Sequence, residues 1–151
     1  MLDSLSKIAL VVPALELGGG VPVVARFLFD VIRQSGLYQA DFISLATSSR
    51  DKASLRLLAA SSWFQGPKVV EGIWQDVPFR HVGAYFTEFE FQRYRPRRIL
   101  TDLLKRYDLI QVVAGAPTVG LAVIGARRPT CLFVATTCKQ ERKSLLARAR
   151  G

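Results

Sequence analysis

Short apolar runs alternate with amphipathic stretches along the chain, and this alternation predicts the fold. The first run covers residues 7–12, Lys-Ile-Ala-Leu-Val-Val, and is typical of a strand buried on both faces of a parallel sheet. Apolar residues then recur at helical spacing from Val23 to Ile32, and Gly36 is a natural C-terminal stop. The pattern therefore predicts a strand, a tight loop and a helix as the opening unit.

The same alternation continues to the end of the chain. Further strands are predicted over residues 41–46, 79–83, 108–113 and 130–135. Helices are predicted over residues 55–60, from Pro96 to Tyr107, from the turn at residues 114–118 to about Ala126, and from Lys139 to Arg150. Residues 62–80 contain only weakly strand-like pieces, at 68–70 and 72–74, which Gly and Pro residues interrupt. The aromatic stretch at residues 85–91 is expected in a connection.

Strands that alternate with helices indicate parallel βαβ units with right-handed crossovers. The 151 residues match the usual size of one domain. We therefore expect a single α/β domain over residues 1–151, with a Rossmann-like, mostly parallel sheet and helices on both faces.

The sequence carries no pattern of a membrane-spanning, exported or metal-binding protein. No apolar run approaches the about 20 residues that a transmembrane helix needs, and the first residues lack the pattern of a signal peptide. Cys131 and Cys138, in a chain with 1 histidine, match no familiar zinc or redox spacing. We expect a cytoplasmic protein without a metal site, in which both thiols are structural.

Positive charge is the strongest compositional feature. The chain has 21 Lys and Arg against 12 Asp and Glu, a net charge of +9, which favours anions such as phosphates, anionic lipid or nucleic acid. Basic residues gather at residues 93–98 and in the last predicted helix. A solvated surface and a surface for anionic lipid or a phosphorylated acceptor both fit this clustering. Nucleic acid is disfavoured, because no recognition helix or stacking sheet accompanies the charge.

Ligands of open parallel sheets bind beyond the carboxyl ends of the strands, where loops and helix N-termini expose amides. The loops predicted at that edge cover residues 17–20, 114–118 and 136–137. Glycines allow close backbone approach to a ligand, although a merely tight turn would also explain them. The candidate substrate-binding residues are Gly18, Gly19, Gly20, Gly115, Thr118 and Thr136.

No local motif assigns a reaction. His81 could act as a base, bind a substrate hydroxyl or be structural. Glu88 and Glu90 alternate with aromatic residues and have no partner histidine nearby in sequence, and no Gly-x-Ser-x-Gly elbow is present. The chain also lacks a Walker phosphate loop and the spaced glycines and acidic residue of a dinucleotide site. Catalytic residues therefore stay unassigned.

Several segments together resemble the N-terminal domain of the GT-B glycosyltransferases of family 4. They are Ile8–Pro13 with the glycines at 18–20, Tyr107–Val113, and Pro129–Ala135. The resemblance spans nearly the whole chain and depends on the order of these patterns. It implies one of two facing Rossmann-like domains, with the acceptor bound mainly by the N-terminal domain and the nucleotide-sugar donor mainly by the C-terminal one. It also implies sugar transfer without a bound metal or other cofactor.

The chain departs from this family in two respects. Many relatives carry a histidine at the end of the fifth strand, whereas Ala135, Thr136 and Thr137 stand here, so a role for Thr136 is limited to hydrogen bonding. The chain ends at Gly151, and we expect the C-terminal donor-binding domain to be absent or to be supplied by a separate chain. The expected function is therefore acceptor recognition, of a sugar or lipid acceptor, without efficient transfer by this chain alone.

Two other classes of function stay open. One is a stand-alone Rossmann-like oxidoreductase domain that binds a nucleotide or dinucleotide. The other is a basic, non-enzymatic scaffold that docks on a membrane or nucleic acid, and the charge fits a peripheral position at the inner face of the membrane.

Overall fold

The computed structural model describes residues 6–17 and 19–135. In this part of the chain a six-stranded sheet has the strand order β3-β4-β2-β1-β5-β6. The strands are β1 (Ser6–Pro13), β2 (Tyr38–Leu45), β3 (Val69–Trp74), β4 (Val77–Val82), β5 (Leu109–Ala114) and β6 (Thr130–Val134). All neighbouring strands pair in parallel except β3, which is antiparallel to β4. The predicted α/β class with a mostly parallel, Rossmann-like sheet is therefore confirmed.

The opening unit forms as its pattern predicts. A short 3-10 turn (Leu15–Leu17) follows β1, and helix α1 (Gly20–Ser35) leads back to β2. Gly36 ends α1 in the left-handed conformation, with φ at 67°, and its amide donates to the Arg33 carbonyl oxygen at 3.3 Å.

The segment between β2 and β4 differs from the prediction. No helix forms over residues 55–60; Leu55 instead makes a parallel bridge to Tyr85, and a single helical turn, α2 (Ala60–Trp63), follows. The bridge is favoured over a helix because it pairs both backbone groups of Leu55. The Leu55 amide donates to the Ala84 carbonyl at 3.0 Å, and the Leu55 carbonyl accepts from the Phe86 amide at 2.7 Å. The helix prediction was wrong here.

The weakly strand-like pieces within residues 62–80 belong to a β-hairpin of β3 and β4. Its turn is formed by Gln75 and Asp76, whose φ angles of 48° and 63° match the turn type that suits two-residue hairpins. Gly72 is required in β3, since a Cβ there would lie 2.7 Å from the ring of Phe79 on β4.

The second half of the chain returns to the predicted order. Residues 85–91 lie largely in a connection, as expected, before the single-turn helix α3 (Glu90–Arg93) and helix α4 (Arg98–Leu104). The segment after β5 is a 3-10 helix (Pro117–Ala126) instead of an α-helix. The predicted closing helix over 139–150, and Cys138, lie outside the described residues.

Apolar side chains pack on both faces of the sheet. On one face α1 contributes Ala25 and Phe29 to a cluster with Phe42 of β2, whose ring stacks on Phe29 at a centroid distance of 4.7 Å. On the other face α4 and the long 3-10 helix cover the sheet, contributing Leu100, Leu104 and Val123. This three-layer arrangement fixes the ends of the central strands, from which the loops of the candidate site project.

None of the helices in the described ranges is long and apolar enough to cross a membrane.

Candidate binding site at the carboxyl edge of the sheet

The carboxyl ends of the central strands meet at one edge of the sheet. The register aligns Pro13 of β1 with Leu45 of β2, and Leu45 with Val82 of β4. In the sheet, β2 lies on one side of β1 and β5 lies on the other. The strand order along the sheet therefore changes direction at β1. Ligands of open α/β sheets bind at this kind of switch point.

The predicted glycine loop lies at this edge. Gly19 caps α1 with φ at 100° and ψ at −172°, and Gly20 is the first residue of the helix. A Cβ at either position would meet nothing within 4 Å, so the backbone is open on that side. Gly18 lies outside the described residues. A ligand can therefore approach the backbone of this loop closely.

The second predicted loop leaves from the neighbouring strand. Gly115 follows β5 directly, and the exposed Thr118 belongs to the 3-10 helix. Because β1 pairs with β5, the topology brings this loop to the same crevice as Gly19 and Gly20. Thr136 lies outside the described residues, so its predicted role stays a prediction.

A polar cluster stands beside this crevice, at the ends of β2 and β4. The His81 ring of β4 lies with Nδ1 3.1 Å from the Ser44 hydroxyl and with Nε2 2.7 Å from Asp51 Oδ1. Ser44 belongs to β2, and Asp51 follows β2 in a turn. The histidine therefore joins two strand ends and a loop.

Further hydrogen bonds hold Asp51 in place. Its Oδ2 accepts a short hydrogen bond from the Ser54 hydroxyl, whose oxygen in turn accepts from the Ala84 amide at 2.9 Å. Burial alone would raise the pKa of Asp51, but the hydrogen bonds from His81 and Ser54 and the charge of His81 outweigh burial and lower it. Asp51 is therefore a carboxylate held ready to accept hydrogen bonds.

The contacts of this cluster disfavour nucleophilic catalysis by Ser44 or His81. Ser44 is only 1% exposed, so its hydroxyl cannot reach a substrate, and it also accepts the Leu15 amide at 3.4 Å. Both ring nitrogens of His81 are engaged, with Nε2 donating to the ionised Asp51. His81 therefore has no free nitrogen with which to remove a substrate proton in this arrangement.

Two cavities adjoin the cluster, with volumes of about 120 and 180 Å³. Glu16, Asp51 and His81 line both of them. Within the described residues, the exposed carboxylate of Glu16 has no hydrogen-bond or ionic partner. Thr47 and Ser48 add hydroxyl groups to the smaller cavity. Ligand pockets usually measure about 300 to 1,000 Å³, so each cavity suits one or a few hydroxyl groups and not a whole nucleotide.

The backbone at this edge carries strain. Ala14, which lines the smaller cavity, has φ at 49°, a left-handed conformation that non-glycine residues rarely adopt. Its amide donates to the Leu45 carbonyl at 3.1 Å, which holds the conformation. Strained residues of this kind cluster at functional sites, so the strain at Ala14 supports the choice of this cavity as a candidate binding site.

Sequence reasoning singled out His81 but missed Glu16, Ser44 and Asp51. Glu16 and Asp51 both follow strands that end at this edge, and that position was the available signal. Across the described part of the chain, no group of three or more His, Cys, Asp and Glu side chains is arranged to hold a metal ion.

Comparisons with known proteins identify no relative: no family model matches the chain, and neither a curated protein nor a solved structure matches it significantly.

Proposed function

We propose that the chain is the acceptor-binding half of a nucleotide-sugar-dependent glycosyltransferase. The observation that carries the proposal is the pair of cavities at the carboxyl edge, lined by Glu16, Asp51 and His81. The cavities lie at the carboxyl edge on the β2 and β4 side of the switch point at β1, and α/β domains bind their ligands beyond this edge.

The chemistry of the cavities suits the hydroxyl groups of a sugar. A hydroxyl group donates one hydrogen bond, and hydrogen bonds to a charged acceptor are the stronger kind. Glu16 offers a carboxylate that has no partner among the described residues, while Asp51 is held ionised by His81 and Ser54. The same hydrogen bonds fix the orientation of Asp51, which lowers the entropy cost of binding.

The engaged state of His81 favours binding without efficient catalysis. Its ring nitrogens face Ser44 and Asp51, and neither is free to accept a proton from an acceptor hydroxyl. We therefore propose that this chain recognises the acceptor, and that the nucleotide-sugar is held mainly by a second domain or a separate chain. The net charge of +9 supports a lipid acceptor or peripheral contact with an anionic membrane.

Acceptor binding is tested by titrating the chain with a panel of methyl glycosides. The titration is monitored by the amide chemical shifts in two-dimensional NMR. We expect saturable shifts at Glu16, Asp51 and His81. Glu16→Gln should weaken binding about tenfold, because it replaces one charged hydrogen bond by a neutral one. The matched control is Glu90→Gln, which alters an exposed carboxylate that lines neither cavity. The absence of glycoside-induced shifts at the cavities would count against the proposal.

A thermal-shift panel of nucleotide-sugars, free nucleotides and nicotinamide dinucleotides tests the donor side, since a ligand that binds only the folded state must stabilise it. We expect little stabilisation by any nucleotide. Clear stabilisation by a dinucleotide would favour an oxidoreductase domain instead. Robust sugar transfer by the isolated chain would contradict the assignment to the acceptor-binding half alone.

A further inference from the structure

A buried arginine stands at the same edge of the sheet, between α3 and α4. Arg97 is only 4% exposed, and within the described ranges its guanidinium donates to backbone carbonyls alone. Nη1 donates to Arg93 and Arg95, at 3.1 and 3.4 Å. Nη2 donates to Val82, the last residue of β4, at 3.3 Å, and Nε has no partner among the described residues.

The charge of this guanidinium is only partly offset, by the charge of Asp51. No ion pair joins Arg97 to a carboxylate within the ranges that the structure describes. Burial lowers the pKa of Arg97 to about 10, although the charge of Asp51 acts in the opposite direction. A buried charge is costly unless a counter-charge is supplied, so an anion beside Arg97 would relieve this cost.

A cavity of about 360 Å³ adjoins Arg97 and has further positive charge on its wall. Arg95 is exposed and has no acidic partner in the described part of the chain, whereas Arg98 pairs with Asp102 at 3.5 Å. Tyr85 and Gln92 add uncharged hydrogen-bond donors. The cavity is thus larger than the two beside His81, and arginine side chains dominate its polar lining.

We propose that this cavity binds a phosphate monoester through Arg95, Arg97 and Arg98. The planar guanidinium matches the oxygens of a phosphate, and the exposed Arg95 and Arg98 can bend onto the ligand while buried Arg97 supplies a fixed charge. The phosphate can come from a soluble ester or from an anionic lipid headgroup. The site does not depend on the proposed function, because no residue of the Glu16 and His81 cavities takes part in it.

The site is tested by titrating the whole chain with phenyl phosphate at constant ionic strength. The titration is monitored by the arginine Nε–H signals and by the backbone amide signals of residues 85–98. We expect saturable shifts that include the Nε–H of Arg97. Arg95→Gln should weaken binding about tenfold, as expected for loss of one charge-assisted hydrogen bond. The matched control is Arg106→Gln, an exposed arginine beyond the other end of α4.

Equal weakening by Arg95→Gln and Arg106→Gln would show diffuse attraction to positive charge and would overturn the proposal. So would the absence of saturable shifts in the wild-type chain. Arg97→Lys keeps the positive charge but loses the planar guanidinium that can donate two parallel hydrogen bonds. We expect this variant to weaken binding as well. If that variant fails to fold, Arg98→Gln replaces it, since Arg98 is 94% exposed.

Vesicles distinguish the two sources of phosphate. Phosphatidylcholine vesicles with and without phosphatidic acid are compared for sedimentation of the chain. Binding of phenyl phosphate together with phosphatidic acid, both weakened by Arg95→Gln, identifies a lipid headgroup. Binding of phenyl phosphate alone identifies a soluble ester. The proposal would be overturned if the chain does not bind phenyl phosphate and sediments with the vesicles equally well with and without the Arg95→Gln substitution.

Discussion

His81 Nε2 lies 2.7 Å from Asp51 Oδ1, and this contact joins the end of β4 to the loop that follows β2. The opposite ring nitrogen faces Ser44 on β2 itself, so the imidazole connects three points of the carboxyl edge. Both side chains are mostly buried, at 22% and 13% exposed. The shape of the neighbouring cavities therefore depends on this pair.

Replacing Asp51 should reveal the contribution of the pair to stability and its dependence on pH. Asp51→Asn removes the charged acceptor of His81 and should lower the free energy of unfolding by about 1 to 3 kcal/mol near neutral pH. The folded pKa of Asp51 is lowered. Its ionised form therefore stabilises the fold above the unfolded pKa of about 4, and this stability is lost as the pH falls through the lower folded value.

Chemical denaturation of both proteins across a series of pH values measures this effect. The difference between wild type and Asp51→Asn should be largest near neutral pH and should shrink below about pH 4. Asp76→Asn is the control, because Asp76 is exposed in the β3–β4 turn and asparagine tolerates its positive φ. A difference that stays constant across the acidic range would contradict a role for the Asp51 charge.

A second polar connection lies on the face of the sheet that α4 covers, and its pH dependence has the opposite sign. The Tyr107 hydroxyl donates to Asp41 Oδ2 at 2.8 Å and accepts from Arg80 at 3.0 Å. Burial, followed by the hydrogen bond and charge of Asp41, raises the pKa of Tyr107 well above its usual range. The neutral phenol therefore stabilises the fold below the unfolded pKa of about 10, and stability is lost as the pH rises above it.

Tyr107→Phe should lower the free energy of unfolding by about 0.5 to 1.5 kcal/mol at neutral pH, since it removes a hydrogen bond and little volume. The loss of stability above about pH 10 should be weaker in this variant. Spectrophotometric titration of tyrosinate should lack the last step that the wild type shows. Tyr38→Phe serves as the control, since Tyr38 is 44% exposed. An unchanged last step would mean that Tyr107 titrates like an exposed tyrosine.

The sequence predicted the fold wherever burial produces a strong pattern. β1 is apolar throughout its middle because both faces of the sheet are covered there, and α1 shows clear helical spacing with Gly36 at its end. β3 has mostly half-exposed or exposed side chains, so its pattern is weak. Its turn also lacks glycine, since Gln75 and Asp76 adopt positive φ without the usual signal.

The site was less predictable because its contacts join residues far apart in sequence. His81 meets Asp51 across 30 positions and Ser44 across 37. Sequence reasoning could place the ends of the strands at one edge, but not the register that aligns Ser44 with His81. Arg97 was included in a basic cluster, and only the packing of the residues around it distinguishes it from its exposed neighbours.

Two substitutions in the glycine loop before α1 distinguish the effect of backbone strain on stability from the effect of an added methyl group on ligand binding. Gly19 has φ at 100° and ψ at −172°, a region that is essentially restricted to glycine, while a Cβ there would meet nothing within 4 Å. Gly19→Ala should therefore cost about 1 to 3 kcal/mol through backbone strain alone. Gly20→Ala lies in helical backbone with equal free space, and should be neutral or stabilising by up to about 1 kcal/mol.

Denaturation of the two variants tests the strain, and a binding titration tests the approach. If a ligand lies against this loop, Gly20→Ala should weaken its binding while stability is kept, because the new methyl group occupies the open side of the backbone. Gly120→Ala is the control for binding, since its added Cβ would make an ordinary contact with Leu132 at 3.7 Å. Equal stability of Gly19→Ala and Gly20→Ala would contradict the strained cap, and unchanged binding by Gly20→Ala would place the ligand away from the loop, nearer the Glu16 cavities.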